Sequence, residues 1–213
     1  MRRMFIRTVG ATLQCVSGLR IGGSQDDLQI GGTDLPVIKH PVTQRPYIPG
    51  SSLKGKMRAE LEKEHDKHGV NDASKPCDCA QPQCPICLIF GAHTNRSTLG
   101  PSRLIVRDAP VTGSYDIEIK AENIIDRAKG SARDLRQLER VAAEATFNLE
   151  LRVQVFDVDE AFSYKDQRGE KALLAVVREG LLLVQETGLG GGISRGCGHV
   201  RIKDLKLDGK DWQ

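Results

Sequence analysis

From Thr146 to Phe156 apolar and polar residues alternate without a break. Phe147, Leu149, Leu151, Val153 and Val155 share one parity, and Asn148, Glu150, Arg152 and Gln154 share the other. A period of two puts these sets on opposite faces of a strand. One dry face and one wet face define an antiparallel sheet covered on a single side. The rest of the chain must supply partner strands for that sheet and helices for its dry face.

Both are present. Glu170–Glu186 carries Leu173, Val176, Val177, Leu181 and Val184 at helical spacing, which predicts a helix pressed flat on the sheet. A second helix is predicted after Pro49-Gly50, with Ser51 or Ser52 as its cap and Leu53, Met57 and Leu61 as its stripe. Strands are expected at Met4–Val16 (Phe5, Val9, Leu13 and Cys15 inward), at Ser102–Val111 and Tyr115–Asn123 around a Thr112-Gly-Ser turn, and at His199–Leu207. Strand, helix, two strands, helix, strand makes an α+β chain of ferredoxin-like or RRM-like βαββαβ order with an antiparallel sheet. It reads as a single domain over 1–213, with insertions at about 66–100 and about 120–145.

The apolar share of 39% and charged share of 28% suit a modest core with long polar excursions. With a net charge of +3, a nucleic-acid partner can be argued only from local clustering. No apolar run approaches eighteen residues and no signal-peptide pattern opens the chain, so a cytoplasmic protein without a membrane span is expected.

Four of the six cysteines, Cys77, Cys79, Cys84 and Cys87, fall within eleven residues. Cys-x-Cys followed by Cys-x-x-Cys can close a tetrahedron around Zn2+ with bonds of about 2.3 Å. A loop this polar would draw its stability from such an ion. The alternatives are reduced thiols, or a site that uses His65, His68 or His93 in place of one cysteine. Four protein ligands leave no open position, so the ion would be structural.

Three segments concentrate features that suit a polyanion. Lys54 and Arg58 share one helix face near an N-terminus that itself favours anions, although Lys-x-x-x-Arg taken alone reads first as a solvated basic face. Arg127, Lys129, Arg133, Arg136 and Arg140 surround Gly130 in a stretch with almost nothing to bury. This is a protruding hairpin arm or a mobile charged loop. Gly188-Leu-Gly-Gly-Gly-Ile-Ser-Arg-Gly-Cys-Gly198 spends much chain entropy on a backbone suited to close approach or positive φ. Gly191, Gly192, Ser194 and Arg195 are its candidate phosphate or sugar contacts; a tight helix–strand turn with no ligand is the alternative. The loop lacks the Lys-Ser/Thr of a nucleotide P-loop and does not follow a strand, which argues against ATP. Asp34, in Gly31-Gly-Thr-Asp, reads by itself as an Asx-turn residue.

The strand–helix order, Tyr47-Ile-Pro-Gly-Ser-Ser-Leu-Lys-Gly-Lys-Met-Arg58 and Gly190-Gly-Gly-Ile-Ser-Arg-Gly-Cys-Gly198 together resemble the RAMP superfamily of CRISPR proteins. Gly31-Gly-Thr-Asp34, Ile124-Ile-Asp-Arg127 and Glu139-Arg140-Val141 look most like the backbone subunit of type III-A (Csm) effector complexes. The resemblance implies copies stacked head to tail along a guide CRISPR RNA, beside other subunits of the complex. Lys54, Arg58, Gly191, Gly192, Ser194 and Arg195 would hold the guide. Arg127, Lys129, Arg133 and Arg140 would lie on a thumb that displaces a base pair of the guide–target duplex at regular intervals. Asp34, with Mg2+ or Mn2+, would support endoribonuclease cleavage of target RNA to a 2′,3′-cyclic phosphate. A subunit that binds both strands without cutting is the alternative. An RNA strand brings its own nucleophile, the 2′-OH, so one carboxylate and correct positioning suffice for this chemistry.

Overall fold

The computed structural model describes residues 1–22, 36–70, 72, 74–92 and 97–212. Its main sheet is antiparallel throughout. Strand β1 (Arg3–Cys15) lies at the centre, between β7 (Thr146–Phe156) and β10 (Val200–Leu207). β7 pairs on its other side with β3 (Leu104–Val106) and β4 (Ala109–Thr112). The edges are β2 (Tyr47–Ile48), beside β4, and β11 (Lys210–Asp211), beside β10. The order across the sheet is therefore β11-β10-β1-β7-β4-β2.

The alternation in β7 holds residue by residue: Phe147, Leu149, Leu151, Val153 and Val155 are all buried. In β1 the inward set is Val9, Ala11, Leu13 and Cys15, whereas Phe5 stays partly exposed at the open end of the strand. The last strand changes parity between Ile202 and Leu205. A bulge causes this, because the register against β1 shifts between Gly10 and Thr12 and Asp204 takes φ 51°.

Helices α1 (Gly50–Glu64) and α3 (Gly169–Thr187) cover the dry face side by side. Leu53, Met57 and Leu61 of α1 and Leu173, Val176, Val177, Leu181 and Val184 of α3 are buried, as their spacing predicts. Gly180 is the point of closest approach. A Cβ there would lie 3.1 Å from both Leu61 Cδ1 and Met57 Cε, so a residue that costs a helix about 1 kcal/mol is retained for packing. The cap of α1 differs from expectation. Neither Ser51 nor Ser52 caps it; instead the Gly50 N–H donates to Asp108 Oδ1 at 2.7 Å.

Two further expectations are corrected. Tyr115–Asn123 does not join the main sheet. It opens a separate two-stranded hairpin, β5 (Ile117–Asp126) with β6 (Ser131–Val141). The cysteine-bearing segment also buries apolar surface: helix α2 (Pro85–Phe90) is buried along its whole length. A short hairpin of β8 (Ser163–Tyr164) and β9 (Gln167–Arg168) leads into α3.

Beside the cysteine segment, Arg103 and Asp159 form an ion pair at 2.7 Å with both side chains 1% exposed. Asp159 Oδ2 also accepts the Phe156 N–H, and the guanidinium donates to the Leu99 and Pro101 carbonyls. Removing one partner strands a buried charge, at a cost of about 3–5 kcal/mol. Asp159→Ala is accordingly expected to lower the thermal midpoint by about 10 °C. A shift of only a degree or two in a melting experiment would show that the pair contributes little.

Candidate nucleic-acid interface and cysteine cluster

The glycine-rich segment folds into a compact turn because its glycines occupy conformations that other residues rarely adopt. Gly188, Gly190, Gly192, Gly196 and Gly198 all have φ between 73° and 88°. The Leu189 N–H donates to the Gly198 carbonyl, Gly198 N–H to the Gly18 carbonyl, and Gly191 N–H to the Arg20 carbonyl. The turn is thus sewn to the chain just after β1. A Cβ on Gly198 would lie 2.0 Å from the Leu189 oxygen, whereas one on Gly196 would meet nothing within 4 Å. Gly198→Ala is therefore expected to destabilise by about 3 kcal/mol and Gly196→Ala by about 1 kcal/mol. Equal thermal shifts for the two would contradict this.

The hairpin stands on the same ground. Leu19 and Val141 exchange two backbone hydrogen bonds of 2.8 Å, so its base continues from β1. Its turn is local chemistry: Asp126 Oδ1 accepts the Ala128 and Lys129 N–H groups, and Gly130 has φ 61°. From Ser131 to Gln137 the second strand is exposed, and ten paired residues reach roughly 33 Å. Arg127, Lys129 and Arg133 sit exposed at the far end, where Arg133 pairs with Asp134 at 3.0 Å.

At its near end the hairpin meets the glycine turn. Lys120 donates to the Arg195 carbonyl, Arg195 Nε to Glu122 Oε2 at 3.0 Å, and Arg140 pairs with Glu118 at 2.7 Å while its Nη1 lies 3.5 Å from Cys197 Sγ. Hydrogen bonding from Lys120, and then the charge of Arg195, holds the Glu122 carboxyl below its usual range. Arg20, Lys120, Arg140 and Arg195 thus face one small area beside Gly191, Gly192 and the exposed Ser194. The Nε atoms of Arg20 and Arg140 are buried with no hydrogen-bond acceptor. The sequence reading missed Arg20 and Lys120; the glycines flanking Arg20 were the only available hint.

Lys54 and Arg58 lie elsewhere. Lys54 Nζ donates to the Leu104 carbonyl at 2.7 Å and to Ser102 Oγ at 3.3 Å. Burial, and then the neighbouring Arg58, lowers its pKa. Arg58 donates to Glu62, to the Gly91 carbonyl at 3.1 Å and to the Cys77 carbonyl at 2.8 Å. Both cations therefore tie α1 to its own surroundings, and the acceptor at the helix N-terminus is Asp108. Asp34 falls outside the described residues. Just after it in sequence, the Val37 N–H and Lys39 Nζ both donate to Glu139 Oε2, at 3.2 and 3.3 Å.

The four cysteine sulfurs lie within 4.8 Å of one another. Four of their separations are 3.7, 3.8, 3.8 and 3.7 Å. A tetrahedron with bonds of about 2.3 Å has edges of about 3.8 Å, so the set can hold a metal ion such as zinc. Cys84 Sγ also accepts the Cys87 N–H, and a hydrogen bond from the Cys87 thiol draws its pKa down to about 5. Histidine substitution is not needed. His65 bonds Tyr164 and Glu179, and His68 bonds Asp66, while His93 is outside the described residues.

The family model described as the RAMP superfamily matches residues 12–201. Over 205 residues the chain is 40% identical to a Methanocaldococcus jannaschii protein named CRISPR system Cms endoribonuclease Csm3, covering 92% of this chain and 77% of that one. A Streptococcus thermophilus protein of the same name is 38% identical over 206 residues, covering 92% and 86%. The crystal structure of a Csm3–Csm4 subcomplex from a type III-A interference complex superposes with a TM-score of 0.61 at 28% identity, covering 97% of this chain and 80% of that one.

Proposed function

Because the chain belongs to the RAMP superfamily, we propose that it is a backbone subunit of a type III RNA-guided effector complex and an endoribonuclease that cuts target RNA complementary to the guide. The observation that carries this is identity of 38–40% to named endoribonucleases over 92% of the chain. In this reading the main sheet and two covering helices are one ferredoxin-like, RRM-like domain, supported by the β10-β1-β7-β4 order. Its two insertions are a zinc-binding segment at about 66–100 and a thumb, the β5–β6 hairpin, at about 120–145. Copies of the chain stack along the guide, next to other subunits, in the cytoplasm. None of the helices among the described residues is long and apolar enough to cross a membrane.

The guide backbone lies against Gly191, Gly192, Ser194 and Arg195, joined by Lys120 and by Arg20 and Arg140, whose buried Nε donors without an acceptor support this placement. Arg127, Lys129 and Arg133 meet the duplex at the thumb's far end. Lys54 and Arg58 hold the fold under this track. Base pairing reads the sequence, and the protein reads shape and backbone. Asp34 supports cleavage with Mg2+ or Mn2+, and Zn2+ sits on Cys77, Cys79, Cys84 and Cys87.

The test is RNA affinity and cleavage of the full chain assembled on a guide. Products should appear at regular spacing along the target. Affinity should fall steeply with salt, because each neutralised phosphate contributes a slope of about 0.7–0.9 in log affinity against log salt. Changing Arg127, Lys129 and Arg133 together to alanine should make that slope shallower by about 2. A flat salt profile, or random cutting, would exclude the assignment.

A further inference from the structure

The residues that follow Asp34 in the sequence build, from 38 onward, a small aromatic recess that neither the cleavage chemistry nor the backbone track uses. Residues 38–47 form a tight hairpin of their own. Lys39 bridges to Pro46, His40 N–H donates to the Arg45 carbonyl, and the Gln44 N–H donates back to the His40 carbonyl. Against β4 this hairpin leaves a cavity of about 270 Å3 lined by His40, Thr43, Arg45, Tyr47, Asp108 and Pro110.

The walls have a distinct chemistry. The rings of His40 and Tyr47 stand at 71° with centroids 6.4 Å apart, forming a corner with one flat face and one edge. His40 Nδ1 accepts the Val42 and Thr43 N–H groups, which leaves the proton on Nε2 as a donor. Asp108 uses Oδ1 for the Gly50 N–H, so Oδ2 remains as an acceptor. The Arg45 guanidinium, fixed by the Gly113 carbonyl and stacked 5.4 Å over Tyr115, adds a cation at the rim. A flat π-face, one donor, one acceptor and a cation at the mouth match a planar heterocycle attached to a phosphate chain.

The recess also stands beside the thumb. Tyr115 leads directly into β5, and Lys39 pairs with Glu139 of β6 at 3.3 Å. We propose that this recess receives an unpaired nucleobase of the RNA held by the protein, stacked on Tyr47 and met at its edge by His40 and Asp108. The proposal rests on the RNA-binding reading above, and its chemistry fits a base from either the guide or the target strand.

The test uses the full chain on guide–target duplexes carrying a single abasic site, moved through every position in the guide in one series and in the target in the other. At the recessed position, loss of the base should weaken binding to the native chain about tenfold, the size of one stacked base. Tyr47→Leu should bind intact RNA about tenfold more weakly and be indifferent to the same abasic site. His40→Ala, on an exposed turn, provides the same comparison if the Tyr47 variant fails to fold. The strand that responds identifies the source of the base. If RNA binds but no abasic position in either strand separates native chain from variant, the recess proposal is overturned alone. If RNA does not bind at all, the underlying reading falls with it.

Discussion

Asp34→Ala is expected to lower target-RNA cleavage about a thousandfold while leaving RNA affinity within about twofold of native. The asymmetry follows from the chemistry. The 2′-oxygen attacks the adjacent phosphorus, the bond to the 5′-oxygen breaks, and the products are a 2′,3′-cyclic phosphate and a 5′-hydroxyl. The proton leaves the 2′-OH and one arrives at the 5′-oxygen, so a carboxylate that accepts a proton or seats a divalent cation acts only on the barrier. In the proposed track, affinity comes from cations along the backbone, which the substitution does not touch. Asp34→Asn keeps the shape and removes the charge, and should behave like alanine. Counting regularly spaced fragments from the native chain and both variants, at equal RNA occupancy, decides the matter. Full cutting by Asp34→Ala would move the chemistry to another residue.

Removal of the Zn2+ proposed for the four cysteines should be the largest stability effect in the molecule. Chelation, or Cys84→Ser, is expected to cost about 5 kcal/mol and to lower the thermal midpoint by about 15 °C. Four thiols packed at 3.7–3.8 Å cannot all ionise without a cation between them. Without the cation the thiols stay protonated and lose the bonds that would draw them together, and the loss would spread because the cluster is bound into the core on two sides. The Cys77 N–H donates to Glu62 and its carbonyl accepts from Arg58, both on α1, while α2 buries Ile86, Leu88, Ile89 and Phe90. Calorimetry with and without chelator reads the effect directly. An unchanged midpoint would mean that burial by α2 alone sustains the segment.

Local chemistry was legible in the sequence, and long-range partnership was not. The period-two run of β7, the stripes of α1 and α3, the cysteine spacing and the charged hairpin each follow from residues near one another in the chain. The cap of α1 does not, since Asp108 lies 58 residues from Gly50. The same limit hid what Lys54 and Arg58 hold, since their acceptors at Leu104, Gly91 and Cys77 are brought in by folding. It also hid Lys120 and Arg20, which gain meaning only when the hairpin base meets the glycine turn. Tyr115–Asn123 has a strand pattern, but no local feature says which strand it will pair with. Asp34, named on family resemblance, lies outside the described residues.

The main sheet ends at both sides in two-residue strands, β2 and β11. At these two-residue rims a further ladder finds few free amides to template, one of the ways natural sheets blunt their edges. Copies lined up on a guide would therefore be matched to its length by the nucleic acid. Growth would stop where the RNA stops, and the two-residue rims would give the protein without RNA little to propagate from.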